Sequence, residues 1–311
     1  MATFAQGSKT TQEQQAAITK QRTGLVRTLG LGLVYLILII GAVLFTAPWL
    51  WMVSASFQPL GDMFNWPPTW WPENFTTANY ANFIRASGLG QWFINSALIS
   101  FSVMFLQLFF NSLAAYTFAK RRFPGRDWIF TFMLGTLMIP GTVFLIPNYL
   151  ILMHMPLFGG NDILGNGGHG WLDSLYGLII PSIVSVWGIF FIRQYMKSIP
   201  DELLDAARID GANEFLIYLL IALPLAGPAL AANAISTFTW TWNDFFWPLL
   251  VISSDNLRTV QLGLALFVVQ HRTRWDVVMA GSVLATIPVL IIFLLFQRYF
   301  IRGIALSGMK G

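Results

Sequence analysis

Six long runs of apolar residues alternate with short polar segments along the chain. They cover residues 28–54, 93–118, 128–153, 173–195, 217–242 and 277–299. A helix needs about 20 mainly apolar residues to cross the hydrocarbon core of a bilayer, and each run reaches that length. The pattern predicts an all-α integral membrane protein with six transmembrane helices.

The composition supports this class. Of the 311 residues, 56% are hydrophobic and only 10% are charged, which leaves too little polar surface for a soluble protein of this size. The chain has no Cys, and its three His residues lie far apart in the sequence, so neither a disulfide framework nor a metal site is predicted. No residue pattern indicates catalysis.

The apolar runs divide the chain into four predicted regions. Residues 1–27 form a polar N-terminal tail, and residues 28–90 hold the first span and an outer segment rich in Trp and Pro. Residues 91–302 form the transmembrane core, which includes a polar loop at 196–216. Residues 303–311 form a short C-terminal tail.

The positive charges fall mainly on one side of the six spans. Arg85, Arg258, Arg272 and Arg274 lie on one side, and the remaining 14 of the 18 Lys and Arg residues lie on the other. By the positive-inside rule the more basic side is cytoplasmic, so both termini and the loop at 196–216 are predicted to face the cytoplasm. Because the basic residues are spread among loops, no nucleic-acid partner is expected.

The polar loop between the fourth and fifth spans carries the signals of a short surface helix. Ser198 can cap this helix, Pro200 suits its first turn, and Asp201 with Glu202 faces the positive end of the helix dipole. Gly211 then supplies a left-handed stop.

One face of the predicted loop helix is suited to contact with another protein. Leu203, Leu204 and Ala207 are expected on that face, and the adjacent small residues Ala206 and Ala207 let a second backbone approach closely. The alternative is an ordinary amphipathic helix that lies in the membrane interface and joins two spans.

The loop resembles the EAA loop of binding-protein-dependent ABC importer permeases. That pattern is an acidic residue followed by two Ala, a Gly after three more residues, and later Ile-x-Leu-Pro. The matching residues here are Asp205, Ala206, Ala207, Gly211, Ile221, Leu223 and Pro224. The family usually has Glu where this chain has Asp205.

Further segments are similar to sugar-importer permeases of the maltose-system type. They are Asn95 and Ser96 at the start of the second span, residues 114–125, residues 242–249 and the stretch from 298 to 311. The chain looks like the shorter, six-span partner of the two non-identical permeases in such systems. The resemblance implies the type I ABC importer permease architecture.

The resemblance also implies the partners and the substrate class. Two ATP-binding cassette subunits would bind ATP and Mg, so no cofactor is expected in this chain, where no Gly is followed by the Lys of a phosphate-binding loop. A homologous second permease, an extracytoplasmic solute-binding protein and membrane lipid are the other implied partners. The substrate would be a sugar or oligosaccharide, carried across a bacterial or archaeal cytoplasmic membrane.

Residues of the loop and the C-terminus are implied in coupling to the ATPase subunits. They are Leu203, Leu204, Asp205, Ala206, Ala207, Asp210, Gly211, Lys310 and Gly311.

Polar side chains recur along the second span at helical spacing. Ser96, Ser100, Gln107 and Asn111 are separated by four, seven and four residues, which stacks them on one face of a helix. Such a stripe can line a polar path, which makes Gln107 and Asn111 candidates for substrate contact. It can equally join helices through hydrogen bonds.

A second polar cluster is predicted at the outer end of the fifth span, where Trp240, Asn243, Asp244 and Trp247 follow helical spacing. Indole rings can cover the C–H surface of a sugar while Asn and Asp bind its hydroxyl groups. The alternative is an aromatic belt at the membrane interface that includes an Asp.

Prolines inside three of the predicted spans indicate bends. Pro140 and Pro147 lie in the third span, Pro181 lies in the fourth, and Pro224 and Pro228 lie in the fifth. Because Pro224 is one turn inside the membrane from the polar loop, motion of the loop would pass through it.

A gradient-driven secondary transporter of a small polar solute is the main alternative function. It would need an Asp, Glu or His at mid-depth in the spans, and only Asp244 comes near. A membrane-embedded enzyme would need clustered His and carboxylates or an activated nucleophile, which the sequence does not present. A non-catalytic transport subunit is therefore expected.

Overall fold

A computed structural model describes residues 30–67, 69–86, 88–270 and 274–307. The chain divides into two compact units, residues 1–75 and residues 76–311. This division falls before the predicted boundary at residue 91, because the short helix that begins at Ala78 packs against the last helix of the second unit.

The described residues of the first unit form helix α1 (Gly30–Ala55) and the irregular segment that follows it. The residues of α1 are apolar on all sides of the helix, and most of them are exposed, as expected of a helix that faces lipid. The Ser54 hydroxyl donates a hydrogen bond of 2.7 Å to the Trp70 carbonyl, and the rings of Phe57 and Phe75 stack at 4.9 Å. The outer segment rich in Trp and Pro therefore folds back onto the end of α1.

The second unit is built from α-helices. In chain order they are α2 (Ala78–Ala86), α3 (Leu89–Lys120), α4 (Arg126–Thr136), α5 (Leu145–Met153), α6 (Leu175–Ile179), α7 (Val186–Met196), α8 (Asp201–Ile209), α9 (Glu214–Ile217), α10 (Leu223–Leu225), α11 (Gly227–Asn243), α12 (Phe246–Val251), α13 (Val260–Gln270) and α14 (Trp275–Ser307). Short 3₁₀ turns lie at Gly141–Phe144, Ile180–Ser182 and Asp255–Leu257. The described residues contain no strand, and the prediction of an all-α protein is confirmed.

Among the residues that the structure describes, four helical segments are long and apolar enough to cross a membrane. They are Gly30–Ala55, Leu89–Lys120, Leu175–Met196 and Trp275–Gln297. Two bent pairs of helices pass the same test together, Arg126–Thr136 with Gly141–Met153 and Glu214–Leu225 with Gly227–Asn243. When each bent pair counts as one span, the described residues hold up to six spans, which lie at the six apolar runs of the sequence.

Proline lies at both bends. The third span bends by 92° between Thr136 and Gly141, beside Pro140, and the fifth bends by 79° at Ala226, between Pro224 and Pro228. A Pro lacks the backbone N–H, and its ring clashes with the carbonyl four residues earlier in a regular helix. The chain takes the wider π-helical form at Tyr218–Ala222, just before Pro224, where that clash would fall.

Helix α3 packs against both α7 and α11, and α11 packs in turn against α14. Gly188 of α7 permits the close approach of these helices. A Cβ atom at this position would lie 2.4 Å from Nδ2 of Asn111 on α3 and 3.0 Å from Nδ2 of Asn233 on α11. A larger residue at 188 would therefore force α7 away from α3.

Two hydrophobic clusters mark the two ends of this bundle. At the end that carries residues 197–213, which we call the loop end, Ile192, Met196, Leu204 and Ile217 form the buried core. Trp92, Phe238 and Trp242 belong to the core nearer the opposite end, which we call the outer end.

Candidate substrate pocket and coupling surface

A cavity of about 570 Å³ lies toward the outer end of the bundle, between α3, α11 and the segment around α12. Five of the six predicted substrate-path residues line it, namely Gln107, Trp240, Asn243, Asp244 and Trp247. Asn111 does not line this cavity. The tertiary structure thus joins part of the second-span stripe to the cluster at the end of the fifth span.

Trp240 is the most accessible aromatic group of this pocket. Its side chain is 60% exposed, and its ring meets that of Trp187 edge to face at 5.1 Å. The contact holds the indole in place while it leaves most of the ring surface free. An oriented and accessible indole is suited to stack against the apolar face of a sugar ring.

Asp244 follows the last residue of α11, and its carboxylate binds the first two backbone N–H groups of the next helix, α12. Its Oδ1 atom accepts hydrogen bonds from the backbone N–H groups of Phe246 (3.1 Å) and Trp247 (3.3 Å). Its Oδ2 atom accepts no hydrogen bond from the residues that the structure describes, so it can accept one from a ligand hydroxyl. The Trp247 indole N–H instead donates to the Gly177 carbonyl at 3.0 Å.

Asn243 is held by its neighbours. Its Nδ2 donates to the Thr239 carbonyl at 2.9 Å, and its Oδ1 accepts from Nε2 of Gln261 at 3.1 Å. Amide oxygens have two lone pairs, so this Oδ1 retains capacity for a second donor.

The polar stripe of α3 mainly joins helices. The Ser96 hydroxyl accepts from the Val260 N–H at 2.8 Å, and Asn111 Oδ1 accepts from the Ser185 N–H at 3.0 Å. Gln107 donates to the Ser182 carbonyl at 2.7 Å and accepts from the Thr237 hydroxyl at 2.9 Å.

Asn111 therefore fits the second interpretation of the stripe, in which its polar side chains join helices through hydrogen bonds. Ser96 and Gln107 form such links and also reach the cavity.

The polar loop forms the helix α8, but its start and its buried face differ from the prediction. The Ser198 hydroxyl donates to the Tyr195 carbonyl, and no side chain caps α8, which begins after Pro200. The prediction of a Ser198 cap was wrong, because one turn of the preceding helix α7 captures this hydroxyl. The acidic Asp201 and Glu202 do occupy the first turn of α8.

Leu203 and Leu204 do not share a face, in contrast to the prediction. Leu204 is 1% exposed and packs in the core of the loop end, whereas Leu203 is 47% exposed. Successive residues on a helix are rotated by about 100°, so only one of the two can face the core. Leu204 therefore anchors α8, and a role for it in direct contact with a partner does not fit this position.

The exposed face of α8 and its end form a continuous surface, which we call the coupling surface. Its members are Leu203, Ala206, Ile209, Asp210 and Gly211. Ile209 is 86% exposed and was not among the predicted residues. Ile209 lies about one helical turn after Ala206, and this spacing could have predicted that the two residues share a face. Asp205 is also exposed and pairs with Arg208, and Ala207 is half-buried.

Gly211 ends α8 with φ +85°, a conformation that favours glycine. No heavy atom would lie within 4 Å of a Cβ at this position, so backbone strain alone, and not a clash, disfavours other residues. Lys310 and Gly311, the other residues implied in coupling, lie outside the described residues.

Glu214 is a central residue that the sequence reasoning missed. Its carboxylate accepts hydrogen bonds from the Tyr116 hydroxyl at 2.8 Å, from Nε of Arg208 at 2.9 Å and from Arg121. Three elements therefore meet on one carboxylate: the end of α3, the helix α8 and the first residue of α9. Asn213 caps α9 and fixes the start of that helix, since its Oδ1 accepts from the Leu216 N–H at 2.9 Å.

Ion pairs to other elements hold both ends of α8, Lys120 with Asp201 at its start and Glu214 with Arg208 in its last turn. The hydrogen bonds to Glu214 and, after it, to Asp205 raise the pKa of Arg208, so this guanidinium stays charged. At the start of α8, Nζ of Lys120 donates to Oδ1 of Asp201 at 2.7 Å and holds the pKa of that carboxyl below its ordinary value.

Comparison with known proteins assigns the chain to a family. Residues 107–306 match the family described as "Binding-protein-dependent transport system inner membrane component". The chain is 36% identical over 267 residues to the Arabinooligosaccharides transport system permease protein AraQ of Halalkalibacterium halodurans, which covers 85% of this chain and 91% of the relative. It is 32% identical over 279 residues to the sn-glycerol-3-phosphate transport system permease protein UgpE of Yersinia pestis, with 87% and 94% covered.

A solved structure supports the fold. A chain from a bacterial ABC transporter involved in the import of the acidic polysaccharide alginate matches with a TM-score of 0.71 at 23% identity, over 86% of this chain and 96% of the other.

The chain belongs to the family of inner membrane components of binding-protein-dependent transport systems, the permeases of ABC importers. It is a multi-pass membrane protein, and its family decides against the gradient-driven transporter.

Proposed function

We propose that this chain is the six-span permease of an ATP-driven importer for a sugar or oligosaccharide, with the loop end in the cytoplasm. The observation that carries the proposal is the outer pocket, where the exposed indole of Trp240 and the carboxylate of Asp244 line one cavity. Relatives that are named for arabinooligosaccharides, lactose and alpha-glucosides support the same substrate class.

The pocket divides the recognition of a sugar between two kinds of group. Trp240 would cover the apolar ring face, and Asp244 with Asn243 would accept hydrogen bonds from hydroxyl groups. The cavity of about 570 Å³ falls within the range of about 300–1,000 Å³ that is usual for small-molecule sites. A homologous second permease would supply the facing wall of the path.

The coupling surface would bind one of two ATP-binding cassette subunits. Leu203 and Ile209 offer apolar anchors, Ala206 allows a close approach, and Gly211 ends the helix without a side chain. Motion of α8 would pass through Arg208 and Glu214 to the start of the bent fifth span. The break at Ala226 then separates that moving segment from α11, which carries the pocket residues at its far end.

The chemistry of ATP would take place outside this chain. No Gly of the 311 residues is followed by Lys, so these residues hold no Gly-Lys-Ser/Thr loop. ATP and Mg would bind the two partner subunits, and an extracytoplasmic solute-binding protein would deliver the substrate. Coupling requires that the ATPase subunits bind the two states of the permease with different affinity.

Purification of the chain from mild detergent, followed by reconstitution in proteoliposomes, tests this proposal. We expect a P-loop ATPase and a second permease to copurify, and we expect uptake of labelled oligosaccharide to require ATP and the solute-binding protein. Recovery of the chain alone, with uptake abolished by a protonophore while ATP is maintained, would overturn it. An intact ATP-dependent complex that imports only a non-carbohydrate solute would overturn the substrate class and leave the importer assignment standing.

A further inference from the structure

A second cleft opens at the loop end of the bundle. It has a volume of about 520 Å³ and lies between the last two turns of α3 and the start of the bent fifth span. The residues that line it are Leu113, Tyr116, Thr117, Arg121, Arg122, Phe123, Glu214, Phe215 and Tyr218. Apolar and aromatic groups thus share the cleft with two guanidinium groups and one carboxylate.

The two arginines differ in what they contact. Arg121 pairs with Glu214, which also accepts a hydrogen bond from Arg208. The Arg122 side chain is exposed and makes no ion pair within the described part of the chain. It is therefore the guanidinium that remains available at the rim of the cleft.

The charges around the cleft leave an excess of positive charge. Arg121 and Arg208 are balanced by Glu214 and by Asp205, which pairs with Arg208. On the adjoining elements Lys120 is balanced by Asp201. After these pairs are formed, Arg122 is the cation left without an acidic partner among the residues that line the cleft.

The apolar wall continues along the membrane-spanning segment. Phe215 is 53% exposed, and Leu219 and Leu220, which follow on the same helical segment, are 41% and 66% exposed. A ligand at the rim can therefore extend an apolar chain along this surface. The pattern of a basic rim above an apolar wall, at the end of a membrane span, is typical of sites for anionic lipid headgroups.

We propose that this cleft binds an anionic phospholipid. Its phosphate lies against Arg122, and one acyl chain lies along Phe215 and the helix beyond it. A free phosphate ion would use only the rim, and an acidic protein loop would leave the apolar wall exposed to lipid or water. The bound lipid would bridge α3 and α9, the elements that Glu214 also joins.

Native mass spectrometry of the purified transporter complex tests the lipid site. The complex is exchanged into detergent that contains phosphatidylglycerol or phosphatidylcholine, and the retained lipid is counted for the wild type, Arg122→Gln and Lys197→Gln. Lys197 is an exposed cation of the loop end that does not line the cleft. Removal of one basic residue near a lipid headgroup should lower retention of phosphatidylglycerol by about fivefold, and only in Arg122→Gln.

Further measurements distinguish a lipid headgroup from a free phosphate ion as the ligand of Arg122. Phe215→Ala should also lower retention of phosphatidylglycerol, because the acyl chain loses its contact. Displacement of the lipid by inorganic phosphate alone would overturn the assignment to a lipid. Equal retention in wild type and Arg122→Gln, or an equal loss in Lys197→Gln, would overturn the site. A photoreactive residue at position 122 that crosslinks to a protein subunit, and not to phosphatidylglycerol, would also overturn it.

Discussion

The Nε atom of Arg208 donates a hydrogen bond of 2.9 Å to Oε1 of Glu214. This bond joins the exposed helix α8 to the first residue of the bent fifth span. The backbone between the two residues passes through Gly211, whose conformation favours glycine. The side-chain link therefore adds a second connection between α8 and α9 to that of the backbone.

Glu214→Gln should lower the amount of substrate imported per ATP hydrolysed. A hydrogen bond to a charged group contributes about 1.5–3 kcal/mol, and less at this site because about a third of each side chain is exposed to solvent. The amide keeps an acceptor for the Tyr116 hydroxyl but loses the charge that faces Arg208. The ratio of uptake to ATP hydrolysis in proteoliposomes measures the effect.

Glu202→Gln is the matched control for that substitution, since Glu202 is an exposed acid of α8 with no ion pair in the described residues. An unchanged ratio in Glu214→Gln, or the same fall in Glu202→Gln, would rule out a specific role of Glu214 in coupling.

Gly211→Ala should destabilise the end of α8 by about 1–2 kcal/mol, the cost of a left-handed backbone conformation in a residue with a Cβ. Assembly with the ATPase subunits should weaken accordingly, while the spans remain folded. Gly227→Ala is the control, because Gly227 has no positive φ and no atom within 4 Å of an added Cβ. Binding of the ATPase in a pull-down reports the result, and full binding by Gly211→Ala would argue against the coupling surface.

Asp244→Asn should keep the hydrogen bonds to the start of α12 and lose the charge that faces the pocket, because an amide oxygen can still accept from the N–H groups of Phe246 and Trp247. If the carboxylate contacts substrate, KM for uptake should rise about tenfold, which corresponds to a loss of about 1.4 kcal/mol. Asp244→Ala should in addition lower the melting temperature, since it removes both of these hydrogen bonds. Unchanged uptake kinetics in Asp244→Asn would assign Asp244 to the aromatic belt.

Trp240→Ala should weaken sugar binding by about 0.5–1.5 kcal/mol, or about two- to tenfold in KM, because the stacking surface is lost. Trp128→Ala serves as the control, since Trp128 is 83% exposed and lies outside the pocket. Uptake assays over a range of substrate concentrations distinguish the two variants. Equal KM values for them would show that Trp240 does not touch the substrate.

The ion pair of Asp201 with Lys120 predicts a pH dependence at the loop end. The hydrogen bond from Lys120 lowers the pKa of Asp201 in the folded state. The ion pair therefore contributes to stability above the ordinary Asp pKa of about 3.9, and this contribution is lost as the pH falls through the lower pKa of the folded state. The melting temperature of the wild type should therefore be higher than that of Asp201→Asn at pH 7, and the difference between the two melting temperatures should become smaller in acid. A difference that is constant with pH would exclude the ion pair as its cause.

Local signals in the sequence predicted a large part of this structure. The six apolar runs, the acidic first turn of α8, the glycine at its end and the prolines beside the bends each depend on a few neighbouring residues. These signals are local because helix length, capping and proline geometry are set by the adjacent backbone. The resemblance of the loop to the EAA pattern likewise used residues within one short segment.

Tertiary packing decided the rest. The choice between Leu203 and Leu204 as the buried residue depended on the position of Ile192 and Ile217, which no helical spacing within α8 reveals.

By itself the sequence determined the all-helical membrane class, the positions of the spans and the family, because these follow from apolar length and local motifs. Only the tertiary structure decided that Glu214 meets Tyr116 and Arg121, which lie 98 and 93 residues away, and that Gln107 shares a cavity with Asp244. The physical reason is that hydrogen bonds and cavities between distant segments depend on how whole helices cross and bend, which local backbone preferences do not specify.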